Sequence, residues 1–197
     1  MPLKIIGISG TNGSGKDTVG RILEEQHNYL FISVTYILRK ELKDRDLTFQ
    51  RENMRSLSSE WRKQFGLGVL IDKAKEIFDN TEGKYSGLAI ASLRNPGEAD
   101  SVHAYGGVVL WVDSDPRVRY ERVISNYRGE DRTVDDKKTF EEFIADEDAE
   151  MQHPPDGDET TLSMLGVKDK SDFFLNNDCD NLKDLSSALS NLLGFKT

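Results

Sequence analysis

Ile5-Ile6-Gly7-Ile8-Ser9-Gly10-Thr11-Asn12-Gly13-Ser14-Gly15-Lys16-Asp17-Thr18 is the stretch on which the reading of this chain turns. The apolar run from Leu3 to Ser9, built on Ile5, Ile6 and Ile8, reads as a strand that stops at Gly10. Val19, Ile22 and Leu23 then recur at i, i+3 and i+4, so a helix begins near Gly15. Between the two, Gly10 to Lys16 fits G-x-x-x-x-G-K in the strand-loop-helix setting that gives this motif its meaning. Glycines let successive backbone N–H groups turn inward around a phosphate with no Cβ in the way. The helix N-terminus adds free donors and the positive end of a dipole. Lys16 brings a mobile positive charge to the outer phosphates.

One position departs from the pattern. A Ser or Thr should follow the lysine and ligate magnesium. Asp17 stands there instead, with Thr18 next. Two readings of Asp17 remain open: it holds magnesium through water, or it complements the positive end of the helix. Thr18 is a candidate to orient a phosphate.

Outward from the loop, short apolar runs alternate with longer amphipathic stretches, the pattern of an α/β protein with a parallel sheet covered by helices. Tyr29 to Ile32 reads as a second strand, followed by a helix from Thr35 to Asp44 with Ile37, Leu38 and Leu42 inward. Residues 52 to 80 continue the helical pattern across Gly66 and Gly68, with Val69, Leu70, Ala74 and Ile77 on one face. Leu88 to Ala91 is a third strand and Val108 to Val112 a fourth, ending at Asp113. Asp115-Pro116 starts a helix with an N-cap and a proline at its first position. Its apolar side is expected from Val118, Val123, Ile124 and Tyr127. Thr139 and Glu142 form a capping box that opens an acidic helix to about Gln152. Phe173 to Leu175 is the fifth strand candidate, and Asp180 is expected to cap a last helix lined by Leu182, Leu185, Leu189 and Leu192. Five strands, each followed by a helix, form one domain over 1–197. The stretches 33–85 and 126–171 read as insertions on that frame.

Composition narrows the function classes. The chain has 197 residues, 37% hydrophobic and 31% charged, enough apolar content for a core. Its 35 acidic and 26 basic residues leave a formal charge of -9, against a nucleic-acid polymer as partner. A small anion held by local arginines remains compatible with that charge. The single cysteine, Cys179, excludes a disulfide framework and a Cys-rich zinc site. His27, His103 and His153 are far apart and form no metal-binding spacing. No run of about 18 apolar residues exists to cross a membrane, and Met1-Pro2-Leu3-Lys4 leads straight into a strand without a leader-like apolar region. A cytoplasmic protein is expected.

Four further segments, with the loop, resemble the P-loop kinases of nucleoside monophosphates and their relatives. Adenylate kinases carry a similar loop, with a residue other than Ser after the lysine and then Thr. Ile32-Ser33-Val34-Thr35-Tyr36-Ile37-Leu38-Arg39 resembles the segment that holds the acceptor monophosphate. Leu93-Arg94-Asn95-Pro96-Gly97-Glu98-Ala99-Asp100 resembles the segment with a second phosphate-binding arginine. Asp113 to Arg122 is similar to the strand-four aspartate followed nine residues later by an arginine at the donor base. Arg128-Gly129-Glu130-Asp131-Arg132 stands where a lid contributes arginines.

The resemblance implies a three-layer P-loop NTPase fold: a five-stranded parallel sheet in the order 2-3-1-4-5, with helices on both faces. It implies ATP as phosphoryl donor with Mg2+, and a small nucleotide-like acceptor. Gly10, Thr11, Asn12, Gly13, Ser14, Gly15, Lys16, Asp17 and Thr18 would bind ATP phosphates. Ser33, Thr35, Arg39, Arg94 and Glu98 would bind the acceptor, and Arg122 the donor base. Lys16, Arg94, Arg128 and Arg132 would act on the transferring group, and Asp17 on the metal through water.

Two features leave the branch open. Ser171-Asp172-Phe173-Phe174-Leu175-Asn176-Asn177 is similar to the last strand of dephospho-coenzyme A kinases, which implies a ribose hydroxyl as the alternative acceptor. The third strand also ends without the acid that many of these kinases link to magnesium; Ala91 or Ser92 stands in its place. Either ATP phosphates and water hold the metal, or the protein is a nucleotide-binding switch with slow hydrolysis.

Overall fold

The computed structural model describes residues 4–125, 139–152, 157–179 and 181–195. Five strands form one parallel sheet: β1 (Ile5–Gly10), β2 (Tyr29–Ser33), β3 (Gly87–Ala91), β4 (Val108–Asp113) and β5 (Phe173–Asn176), in the order β2-β3-β1-β4-β5. This is the expected order. It follows from burial: β1 and β3 are buried at every position, and such continuous apolar strands belong where helices cover both faces. The short β5 carries an exposed Phe174 and lies at an edge.

Helices α1 (Lys16–His27), α2 (Val34–Asp44), α3 (Arg51–Phe65), α4 (Val69–Asp79), α5 (Pro96–Ala104), α6 (Pro116–Ser125), α7 (Phe140–Met151), α8 (Met164–Asp169) and α9 (Leu182–Leu193) connect and cover the strands. Two apolar clusters divide the core. One joins Leu42, Leu70, Leu88, Ile90 and Val109; the other joins Ile6, Ile8, Leu23, Leu110 and Leu189. The alternating residues of β1 and β3 thus supply both faces of the sheet, as period-two side chains must.

Several elements differ from their expected form. Ile77 does not share the buried face of α4; it is 44% exposed. On α6 the fully buried position is a charged one, Arg119, while Ile124 lies exposed. Tyr127 is outside the described residues. Asn181, whose side chain accepts from the Asp184 amide, caps α9; Asp180, expected there, is outside the described residues. Thr139 and Glu142 do form a capping box, and Asp115 does accept from the Arg117 amide at 2.8 Å. Trp61 and Trp111 are both core residues.

Candidate active site

Gly10 to Lys16 links the carboxyl end of β1 to α1. None of its three glycines, Gly10, Gly13 and Gly15, has room for a Cβ at its positive φ. A Cβ on Gly10 would sit 1.8 Å from the Val112 carbonyl oxygen, because the loop crosses tightly against β4. Gly15 has φ 94° and packs against Asn177, so a side chain there meets both strain and a clash. The loop is tied down from three sides. Thr11 donates to Asp113 at 2.7 Å, Asn177 Nδ2 donates to the Ser14 carbonyl at 2.8 Å, and Ser14 Oγ donates to the Thr11 carbonyl. The Asn177 backbone amide in turn bonds the Asp113 carbonyl. Asn177, just past β5, is therefore a loop support joining β4 and β5 to the phosphate loop.

Lys16 Nζ donates to the carbonyls of Gly10 and Thr11, at 2.9 and 2.5 Å. Burial lowers its pKa from the usual 10.5 to about 8, and the neighbouring charge of Arg94 pushes the same way. Asp17 and Glu150 pull it back up. The cation needed to bind phosphate therefore becomes scarce in the free protein above pH 8. Affinity for ATP is expected to fall by up to about tenfold per pH unit between pH 8 and 10, since a tenfold loss of the ammonium form accompanies each unit. Titration calorimetry across that range checks it; a flat profile would contradict the depressed pKa. The linkage sign for folding is opposite. Between about 8 and 10.5 the unfolded chain holds the proton that Lys16 has lost, so this group's contribution to stability rises with pH.

The loop opens into a cleft of about 1310 Å³ at the carboxyl end of the sheet, where open α/β folds place ligands. Asn12, Gly13, Gly15, Lys16, Asp17 and Thr18 line it, together with Ser33, Thr35, Arg39 and Arg94. The structure therefore brings those sequence-expected residues to one space. Arg122 also borders it, and donates to the backbone carbonyls of Asn177 and Cys179 at 2.9 and 3.3 Å. Arg39 Nε is buried without a hydrogen-bond partner among the described residues.

Glu98 is placed elsewhere. It is fully buried and committed: one oxygen takes Arg62 Nη2 at 2.7 Å, the other takes the backbone amides of Arg94 and Asn95 at 2.7 and 3.2 Å. With Asn95 it forms the capping box of α5. The physical reason is visible in Asn95-Pro96-Gly97-Glu98, an N-cap, a proline at N1 and a Glu at N3. Glu98 holds the loop that carries Arg94 and has no free oxygen for an acceptor. Arg128 and Arg132 lie outside the described residues.

Sequence reasoning missed five participants: Arg55, Arg62, Arg119, Glu147 and Glu150. Arg119, buried on α6, donates to the Asn12 and Ser114 carbonyls and pairs with Glu147 of α7. Glu150, one turn further along α7, takes Arg94 Nη1 and Arg55 Nη2, each at 2.8 Å. Arg62 is the buried partner of Glu98. The i, i+3 spacing of Glu147 and Glu150 places both on one helical face, a signal that was available in the sequence. Their arginine partners were not, because they come from α3, α6 and the loop after β3.

The residue at the end of β3 facing the cleft is Ser92, held at φ 72° with its amide on the Ile8 carbonyl. Ala91 is wholly buried. Among the described residues no group of three or more His, Cys, Asp or Glu could hold a metal by itself. Asp17 and Thr18, in the first turn of α1, are oxygen-bearing side chains that line the cleft beside Lys16 and could meet a metal there.

No helix among the described residues is long and apolar enough to cross a membrane. The fold is that of P-loop kinases. Shikimate kinase from Bacteroides thetaiotaomicron superposes with a TM-score of 0.63 over 98% of this chain and 99% of its own, at 13% identity. A UPF0200 protein of Pyrobaculum aerophilum is 22% identical over 97% of both chains. A UPF0200 protein of Sulfurisphaera tokodaii is 30% identical over 66% of this chain and 70% of its own. A family model described as AAA domain matches residues 6–150, from β1 through most of α7, and the chain belongs to that family of P-loop proteins and, with these relatives, to the UPF0200 proteins.

Proposed function

We propose that this protein is an ATP-dependent phosphotransferase that moves the γ-phosphoryl group to a small acceptor already carrying an anionic group, a nucleoside monophosphate or a similar nucleotide. The observation that carries the reading is the shared cleft: Lys16 and residues of the phosphate loop line it together with Arg39 and Arg94. Phosphoryl transfer needs two substrates in line, water kept out, and positive charge around the equatorial oxygens. The loop amides and Lys16 hold the outer phosphates of ATP. Arg39 and Arg94 fix the acceptor's anion, and the charge of Arg94 acts on Lys16. Arg122 borders the donor base. Arg128 and Arg132 are assigned to the transferring group by resemblance. Magnesium enters with ATP and neutralises charge on its phosphates, with Asp17 holding it through water. One kinase unit spans the chain, with 33–85 serving the acceptor and 126–171 the lid. A cytoplasmic location suits substrates of this kind.

The test is ADP release from ATP and magnesium across all NMPs and dNMPs, with dephospho-coenzyme A and shikimate in the same panel. Stimulation by one acceptor above the rate without acceptor supports the reading and names the branch. No stimulation by any, with ATP still bound, would overturn it in favour of a nucleotide-binding switch. Ser92 at the position of the usual β3 acid is the observation that favours that second reading. Arg39→Ala and Arg94→Ala are each expected to raise the acceptor KM by about ten- to a hundredfold, the loss of a charge-assisted contact of roughly 1.5–3 kcal/mol. Steady-state kinetics with the acceptor varied would check this. Unchanged KM in both variants would remove the acceptor assignment.

A further inference from the structure

Glu150 is an unusual residue to find in this cleft. Its side chain is 15% exposed and stands among three guanidinium groups from two separate elements. Arg94, after β3, holds one oxygen at 2.8 Å. Arg55 of α3 holds the other at 2.8 Å, and Arg51, one turn earlier on α3, approaches it at 3.9 Å. Burial alone would raise its pKa, yet Arg94 and Arg55 bring it below the ordinary glutamate value, so the carboxylate is charged. All four residues line the same cleft as Lys16. A carboxylate whose two oxygens are each held by a different guanidinium shows that this cluster can hold an oxyanion.

We propose that Arg51, Arg55 and Arg94 form one oxyanion subsite for the acceptor, and that Glu150 is its internal occupant in the free protein. The inference rests on the proposed kinase reading for the word acceptor, but the site itself is defined by the three arginines. An incoming phosphate or carboxylate takes over the contacts to Arg94 and Arg55, and Glu150 is released toward water. The exchange swaps one set of ion pairs for another. It keeps three like charges from facing one another when no ligand is bound, and it sets an affinity threshold that weak anions do not cross. The nearby Arg39 lines the same cleft.

The test uses the whole chain with ADP saturating the phosphate loop, so that a second anion reports on this subsite alone. Inorganic phosphate and acetate are the probes, followed by NMR shifts. Glu150→Gln is close in shape and removes the charge. It is expected to bind phosphate at least about fivefold more tightly than the wild type. Adding Arg55→Ala to that variant should abolish the gain. ADP affinity is measured in parallel and ADP kept saturating for each variant, because the Glu150 charge acts on Lys16. A gain for phosphate alone identifies a phosphate subsite, and a gain for both probes a general oxyanion subsite; each supports the proposal. Equal or weaker binding in Glu150→Gln would overturn it. Glu150→Ala provides the check on packing: it should reproduce the gain, whereas a loss in Ala and Gln alike would make Glu150 a ligand contact or a structural strut. None of these readouts involves turnover, so failure here is distinct from failure of the kinase reading, which the ADP-release panel decides.

Discussion

Lys16→Ala is expected to lower phosphoryl transfer by about a thousandfold or more while leaving the fold intact. A thousandfold loss corresponds to about 4 kcal/mol of transition-state stabilisation. The magnitude follows from the surroundings. The neighbouring cations have carboxylate partners, Arg94 with Glu150 and Arg119 with Glu147, and both are held by their elements at fixed distances from the loop. Neither reaches across Gly10 and Thr11 as Lys16 Nζ does. The depressed pKa of Lys16 says that burying its charge opposes folding at neutral pH. The variant should therefore melt no lower than the wild type, and slightly higher if the lost carbonyl hydrogen bonds are the smaller effect. Single-turnover rates and a thermal melt together check this. Residual transfer within tenfold of the wild type would remove Lys16 from the chemistry. A melting temperature lowered by more than a few degrees would contradict the account of its burial.

The second large effect concerns stability. Glu98→Ala leaves the buried guanidinium of Arg62 without its carboxylate and strips the acceptor from the Arg94 and Asn95 amides. Removing one member of a buried pair typically costs about 3–5 kcal/mol. For a chain of this size that lowers Tm by roughly 10–15 °C. Urea unfolding gives the direct measure. A loss below about 1 kcal/mol would show that water or a rearranged Arg62 takes over the role. Replacing both members, Arg62→Met with Glu98→Leu, should recover part of the loss, because the unpaired buried charge disappears with its partner. The recovery should not extend to acceptor binding, since the Arg94 amide still lacks its anchor.

The phosphate loop was legible residue by residue. Its function depends on backbone amides and on glycine positions, and these are local properties that neighbours in sequence specify. The strands were legible for a related reason: an apolar run such as Val108 to Val112 can be satisfied only inside a covered parallel sheet. The resemblance added Arg39 and Arg94, which the structure brings to one cleft with Ser33 and Thr35. Glu98 shows where residue-by-residue transfer fails. Its place in Asn95-Pro96-Gly97-Glu98 gave it a capping role as good as any binding role, and burial chose the former. Arg119 failed in the opposite direction. Periodicity assigned the inward face of α6 to its apolar residues, and the tertiary structure turned an arginine inward because Glu147, Asn12 and Ser114 satisfy it there.

By itself, then, the order of residues determined the five-stranded parallel frame, the glycine-rich loop and the end of the sheet at which the cleft opens. Those follow from hydrogen bonding and burial between near neighbours and from the twofold and 3.6-fold repeats of strand and helix. Which charges meet was decided only by the tertiary structure. Arg55 and Glu150 are 95 positions apart, and Arg62 and Glu98 are 36 apart. An ion pair leaves no periodic trace in the chain, because any arginine and any glutamate are chemically able to pair. The fold selects the partners by bringing α3 within reach of α7 for the first pair and of α5 for the second.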